Sequence, residues 1–200
     1  MLVIIAMDHA ERIKRRDAII PLLKDPDPEV RLSASTALEA LEAAESLEEV
    51  FDRLKRGDRA TKVAAIYALG RIGDERVLPI LYYCAGRPEE DIRCAAVKVL
   101  GELARPDALA TLLEKLQDPA VTVRALAIEA LSRYRNPSLA AKLVPFLEAN
   151  DGILDAEAAL ALGRIGGAAG ATLSDAVIKL LSSPFDKTRA AAATALAQLP

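Results

Sequence analysis

Residues 58–87 read DRATKVAAIYALGRIGDERVLPILYYCAGR, and their arrangement of apolar positions returns when the stretch is shifted by 31 residues in either direction. Ala68-Leu69 falls on Ala37-Leu38 one way and on Val99-Leu100, Ala130-Leu131 and Ala161-Leu162 the other. A further copy, Ala195-Leu196, arrives after 34 residues. Self-similarity at such a period marks a solenoid, in which each repeat buries its apolar face only by stacking on its neighbours. The fold class is therefore all-α, an α-solenoid of stacked helix pairs wound as a right-handed superhelix, with one repeat domain over residues 1–200. Full repeats occupy 25–57, 58–88, 89–118, 119–149 and 150–184, flanked by partial repeats at 1–24 and 185–200.

Each repeat reads as helix A, a tight turn and helix B. Helix A of the first full repeat runs from Pro28 to Ala43, with Val30, Ala34, Ala37, Leu38 and Leu41 on one face at helical spacing. Asp27, Asp58 and Asp151 stand near helix A starts, where a carboxylate accepts orphan backbone N–H bonds and meets the positive dipole end. Gly73-Asp74 forms the turn between the two helices, with glycine as a left-handed cap and aspartate starting the next helix. Pro106 and Pro137 fall at the first position of helix B, where a missing N–H costs little. Helix B itself carries Leu47, Val50, Phe51 and Leu54, then Leu78, Leu81, Tyr82 and Ala85, then Leu109, Leu112, Leu113 and Leu116. Leu143, Val144 and Leu147, and then Val177, Ile178 and Leu181, continue these apolar columns. Pro21, Pro79 and Pro145 lie inside helix B segments and are expected to kink them or delay their starts. Residues 1–10 read as the remnant of a preceding helix, and the apolar face of the last partial repeat offers a surface for end-to-end self-association.

Composition narrows the function classes. Apolar content is 52%, supplied mainly by Ala, Leu, Val and Ile, which suits closely approaching helices. A net charge of -3 does not suit a surface built to neutralise a phosphate backbone, which argues against nucleic acid as a partner. Two cysteines, Cys84 and Cys94, make neither a disulfide framework nor a four-ligand zinc site, and they read as thiols in a reducing compartment. The opening MLVIIAM is too short for a membrane span and has no basic leader, so the expected location is cytoplasmic, with no membrane partner. His9 is the sole histidine, which removes most triads, metal sites and histidine acid–base chemistry. Neither Gly70-Arg71-Ile72-Gly73 nor the glycines from 163 to 170 follow a strand or carry P-loop spacing. No catalytic, metal or cofactor residue is nominated, and no cofactor is expected.

The pattern D-x-x-V-R-x-x-A-x-x-A-L-G-x-I-G-D resembles the short HEAT-like repeats of the phycobilisome lyase family. It stands as DPEVRLSASTAL from Asp27, DRATKVAAIYALGRIGD from Asp58 and EEDIRCAAVKVLGEL from Glu89. It returns as AVTVRALAIEAL from Ala120 and DGILDAEAALALGRIG from Asp151. The resemblance implies a HEAT-like scaffold whose B helices line a concave side. It also implies that the basic column Arg31, Lys62, Arg93, Arg124 and Arg189 forms a structural ladder pairing with carboxylates of neighbouring repeats. Asp155 breaks that column just before the three-residue insertion around Gly166–Gly170, so irregular stacking is expected there. Iron hydroxylases that share this architecture use paired His-Glu motifs, and the chain has no His-Glu dipeptide. DNA glycosylases of similar build would call for a basic face with aromatic groups, whereas Trp is absent and Glu11 and Asp17 interrupt the basic run Arg12, Lys14, Arg15, Arg16.

What remains is a binding surface. The helix B positions left free by the apolar pattern run Pro21, Asp52, Tyr83, Glu114, Pro145, Lys179, with Lys55, Gly86, Gln117 and Glu148 one turn on. Asp52, Tyr83, Glu114 and Glu148 are the candidate partner-binding residues, acidic groups beside a tyrosine that offers apolar area with a hydrogen-bonding tip. The sequence reading is thus a non-catalytic scaffold or adaptor for a protein partner. A bilin lyase or a chaperone-like accessory to chromophore attachment is the alternative the resemblance raises, and nucleic-acid binding comes third.

Overall fold

Helix starts are written into the chain as short carboxylate caps. Asp58 Oδ1 accepts from the Thr61 N–H at 2.8 Å, and Asp151 Oδ1 accepts from the N–H groups of Ile153 and Leu154, both at 2.8 Å. Each satisfies donors that the first helical turn leaves unpaired. The computed structural model describes residues 9–43, 47–166 and 171–199, and every regular element among them is helical. The expected remnant helix at residues 1–10 falls mostly outside the described residues, as does most of the glycine-rich turn at 166–170.

The chain forms two compact units, Met1–Gly73 and Asp74–Pro200. Their boundary falls between helix A and helix B of the repeat at 58–88. The first unit contains α1 (His9–Ile19), α2 (Pro28–Ala43), α3 (Leu47–Arg56) and α4 (Arg59–Ile72). Helix α3 packs on α4, and Val50 and Leu69 are fully enclosed. Pro21 sits in a tight 3-10 segment, Ile20–Lys24, that follows α1, because a proline ring cannot extend an α-helix already under way.

In the second unit helix A is represented by α6 (Glu90–Leu103), α8 (Val121–Ser132), α10 (Leu154–Ile165) and α12 (Asp186–Leu196). Each packs directly on the next. Close approach is possible because glycine faces alanine at the crossings. A Cβ on Gly101 would lie 2.4 Å from Ala130 Cβ, and one on Gly163 would lie 2.9 Å from Ala195 Cα. The B helices are α5 (Leu78–Ala85), α7 (Leu109–Glu114), α9 (Ala140–Leu143) and α11 (Ala171–Lys179). They are shorter and adjoin 3-10 turns. Pro106 and Pro137 open 3-10 segments that precede α7 and α9, and Pro145 holds Val144–Glu148 in a 3-10 segment that follows α9. Pro79 falls in the first turn of α5, so there it only delays the start.

One column is sealed throughout, with Val50, Leu81, Leu112, Leu143 and Val177 at the centre of their repeats, each fully buried. A second regularity lies at the helix A exits. Gly73, Ala104, Arg135 and Gly166 are spaced by 31 residues and all have positive φ, from 46° to 65°. At Ala104 and Arg135 the left-handed backbone carries a Cβ, which costs roughly 1–2 kcal/mol that glycine avoids. Ala104→Gly is therefore expected to stabilise the protein by about 1 kcal/mol in urea unfolding, because relief of the left-handed backbone outweighs the loss of one half-buried methyl.

The irregular stacking expected beside Asp155 is not seen in the A layer. Asp155 is buried, and its Oδ1 accepts from Thr188 Oγ1 of α12 at 3.0 Å and from the Ala156 N–H at 2.8 Å. A neutral hydroxyl has replaced the guanidinium pairing, so the carboxylate crosses directly to the next helix A.

Candidate functional site

The basic column was expected to reach carboxylates of adjacent repeats, and it largely serves another purpose. Arg31 Nη1 donates to the carbonyls of Asp25 and Pro26, at 2.8 and 2.9 Å. Arg93 Nη1 donates to those of Arg87 and Pro88, at 3.0 and 2.6 Å. Arg124 Nη1 donates to those of Asp118 and Pro119, at 2.7 and 3.1 Å, and Arg189 Nη1 to that of Ser183 at 2.7 Å. Each guanidinium reaches back five or six residues and ties the turn in front of its own helix, satisfying carbonyls that a terminating helix B leaves without partners. Lys62 holds the same column without a planar fork.

Among the described residues, only Arg93 of this column completes a bond across repeats to a carboxylate. Its Nε and Nη2 donate to Asp118 Oδ2 and Oδ1 at 2.9 and 3.0 Å, and both side chains are buried. The reason is compositional, since the residue 25 positions after each column member is Arg56, Arg87, Asp118 and Ala149 in turn. Burial pushes the Asp118 carboxyl up, but the bonds from Arg93 and the Ala120 N–H outweigh it and hold the group below its ordinary value.

The candidate partner-binding residues all lie on the surface. Asp52, on α3 in the first unit, pairs with Arg56 at 2.9 Å one turn on. In the second unit Tyr83 on α5 is 63% exposed, and its hydroxyl accepts from Arg87 Nη1 at 2.9 Å. The Arg87 guanidinium carbon also lies 5.5 Å from the ring centroid, and Arg87 Nη2 donates to Glu89 at 3.1 Å. The ring is thereby held upright, an exposed aromatic with part of its conformational freedom already removed. Glu114 ends α7, is exposed, and lies 3.4 Å from Lys115 Nζ. Glu148 is exposed at the end of the 3-10 segment after α9. In the second unit Tyr83, Glu114 and Glu148 fall one to a repeat, and among the described residues no hydrogen bond or ion pair joins the three.

One open groove, of about 410 Å³, cuts into the second unit where the turns leading into α5 and α7 come together. Leu78, Pro79, Tyr82 and Pro106 give it an apolar wall, and Glu75, Asp107 and Arg105 stand around it. The Tyr82 hydroxyl is enclosed without a hydrogen-bond partner. Behind it, Tyr134 Oη donates to the Arg105 carbonyl at 2.7 Å, and burial pushes the Tyr134 phenol up to about 12.

Profile comparison bears on these stacked pairs directly, because the pattern described as HEAT repeats matches residues 16–93 and 81–163. The chain belongs to the HEAT-repeat family. No curated protein matches it. Among solved structures, the crystal structure of an engineered protein from the Northeast Structural Genomics Consortium is similar over 92% of this chain and 96% of that one. The TM-score is 0.56 at 19% identity, a likeness of fold.

The HEAT periodicity misled at Leu181, which repeats the register of Leu54 and Leu116 yet is 41% exposed, and along one neighbouring column. Val144 and Ile178 repeat the register of Phe51, Tyr82 and Leu113 and read as core, yet they are 38% and 49% exposed. They lie one residue before the Tyr83–Glu114–Pro145–Lys179 column, on the shoulder of each B segment, and add apolar area to that face. The short, 3-10-broken B segments of the HEAT pairs leave this shoulder uncovered. A sharper signal was available in Pro145, which cannot continue the α-helix that would have buried Val144. The thiols are sequestered by contrast. Burial pushes Cys84 up to about 11, and burial raises Cys94 as well.

Proposed function

We propose that this HEAT-repeat chain is a non-catalytic scaffold that binds a protein partner through the exposed face of its B helices. The observation that carries the reading is Tyr83, a large aromatic held in the open by Arg87, with the exposed acidic Glu114 at the same register of the next repeat. Aromatic anchors with apolar neighbours and a polar rim are the composition of protein interfaces. Partly fixed side chains also lose less entropy on association. HEAT repeats generally serve as protein-interaction scaffolds, which agrees with this assignment.

Bilin attachment, which the resemblance to phycobilisome lyase repeats raises, finds no activated thiol among the described residues. Both thiols are shifted away from the thiolate form, the opposite of an activated cysteine. The acidic B column and the net charge of -3 likewise disfavour a nucleic-acid backbone. Among the described residues no helix is long and apolar enough to cross a membrane.

The test is photo-crosslinking in lysate of the source cell, with benzoylphenylalanine placed in turn at positions 83 and 114 on B helices and 102 and 122 on A helices. A shared partner captured from 83 and 114 but not from 102 and 122 is the expected result. Capture from the A positions alone would refute the assigned face.

A further inference from the structure

We infer that the groove between the turns leading into α5 and α7 is a pocket for a basic side chain, lysine or arginine, carried by the protein partner. The inference rests on the scaffold reading above and names the partner's chemistry at one place. Three observations converge on it. The groove holds about 410 Å³, within the range of specific ligand pockets and ample for one long side chain. Its wall of Leu78, Pro79, Tyr82 and Pro106 is apolar, which suits the methylene stem of such a residue rather than a small hydrated ion. At its mouth stand Glu75 and Asp107, both exposed, with no ion pair to either among the described residues.

Charge decides the occupant. The neighbouring Arg76 is neutralised by Asp74, which it grips through Nε and Nη2 at 2.7–3.0 Å. Arg105, the one cation lining the groove, is engaged in interactions of its own. Two open carboxylates therefore face an incoming group, and a cation on an apolar stem meets both demands at once. The Tyr82 hydroxyl, buried at the wall with no partner, is a polar group of the kind that native interiors seldom leave unsatisfied. Pro79 lies one helical turn before Tyr83 on α5, so a chain crossing the B face at Tyr83 passes the mouth of the groove.

The probe is the hexapeptide fluorescein-Gly-Pro-Arg-Leu-Pro-Gly-amide, labelled on its N-terminal amine and titrated against the full chain. The same peptide with citrulline in place of arginine serves as the uncharged control. The expected result is saturable binding of the arginine peptide, weakened at least tenfold by citrulline and by Glu75→Gln/Asp107→Asn. Amide shifts in ¹⁵N spectra should centre on Glu75, Leu78, Tyr82 and Asp107. Equal affinity of the citrulline peptide, indifference to the double substitution, absence of binding, or shifts centred elsewhere would each overturn the pocket. Tyr83→Ala/Glu114→Lys separates the two readings. If it abolishes partner capture but leaves the arginine peptide bound, both stand. If capture survives it while the peptide remains sensitive to Glu75 and Asp107, the pocket stands and the assigned B face falls.

Discussion

Substitution of Gly101 by alanine is expected to destabilise the protein, although the same change in an isolated helix would stabilise it. In a helix interior, Gly→Ala gains about 1 kcal/mol from propensity. Here the new Cβ would lie 2.4 Å from Ala130 Cβ and 2.9 Å from Ala130 Cα, well inside contact distance. Neither atom belongs to a side chain that can rotate away, so α6 and α8 must separate along the stack. Overpacking of this kind typically costs 1–3 kcal/mol, and a rigid backbone neighbour places it at the upper end, roughly 2 kcal/mol net of the propensity gain. Urea unfolding measures it, and Ala130→Gly in the same molecule supplies the control. The double variant should be more stable than the sum of the single changes predicts, with a coupling of about 1–3 kcal/mol. Additive effects would mean that the two helices do not approach at these residues.

Arg93→Met is expected to cost more, about 3–5 kcal/mol, because it leaves a buried carboxylate without its cation and two turn carbonyls without their donor. The geometry supports the upper class of effect, since Asp118 is 3% exposed at the side chain and the pair is bidentate. The pH dependence carries an independent signature. In the folded protein Asp118 titrates below its unfolded value, so its contribution is present above about pH 4 and is lost as the pH falls through the lowered folded value. Without Arg93, burial is opposed only by the Ala120 N–H and the nearby Lys115 charge, and that contribution should shrink or change sign. Asp74, held down to about 2 by Arg76, loses its contribution in the same acid range in both proteins. The difference between the two stability–pH curves therefore isolates Asp118. Parallel curves would contradict the assignment.

How far the sequence reaches can be judged from individual columns. The register of Val50, Leu81, Leu112, Leu143 and Val177 was legible, because a residue at the centre of a helix pair is enclosed whatever its neighbours do. So were the caps at Asp58 and Gly73-Asp74, which depend on local backbone chemistry alone. The flanking column was not legible. Whether Tyr82, Leu113, Val144 and Ile178 are covered depends on how far each B segment continues as an α-helix, which apolar periodicity does not report. The arginine column was found by its spacing, but its partners are mostly backbone carbonyls, which carry no sequence signal. The left-handed exits at Ala104 and Arg135 were hidden because side chains other than glycine can be forced into the repeat's turn geometry. Of the surface, the exposure of Tyr83 follows from its register, whereas its clamp by Arg87 and the groove beside Pro79 required the fold.

The most direct measurement is the dissociation constant of the crosslinked partner for the wild-type chain and for Tyr83→Ala/Glu114→Lys, taken beside the melting curve of each. The scaffold account predicts at least a tenfold loss of affinity with helicity and melting temperature unchanged, because both residues are exposed and neither supports the stack of A helices. Unchanged affinity would contradict it and place the partner on another face of the repeats.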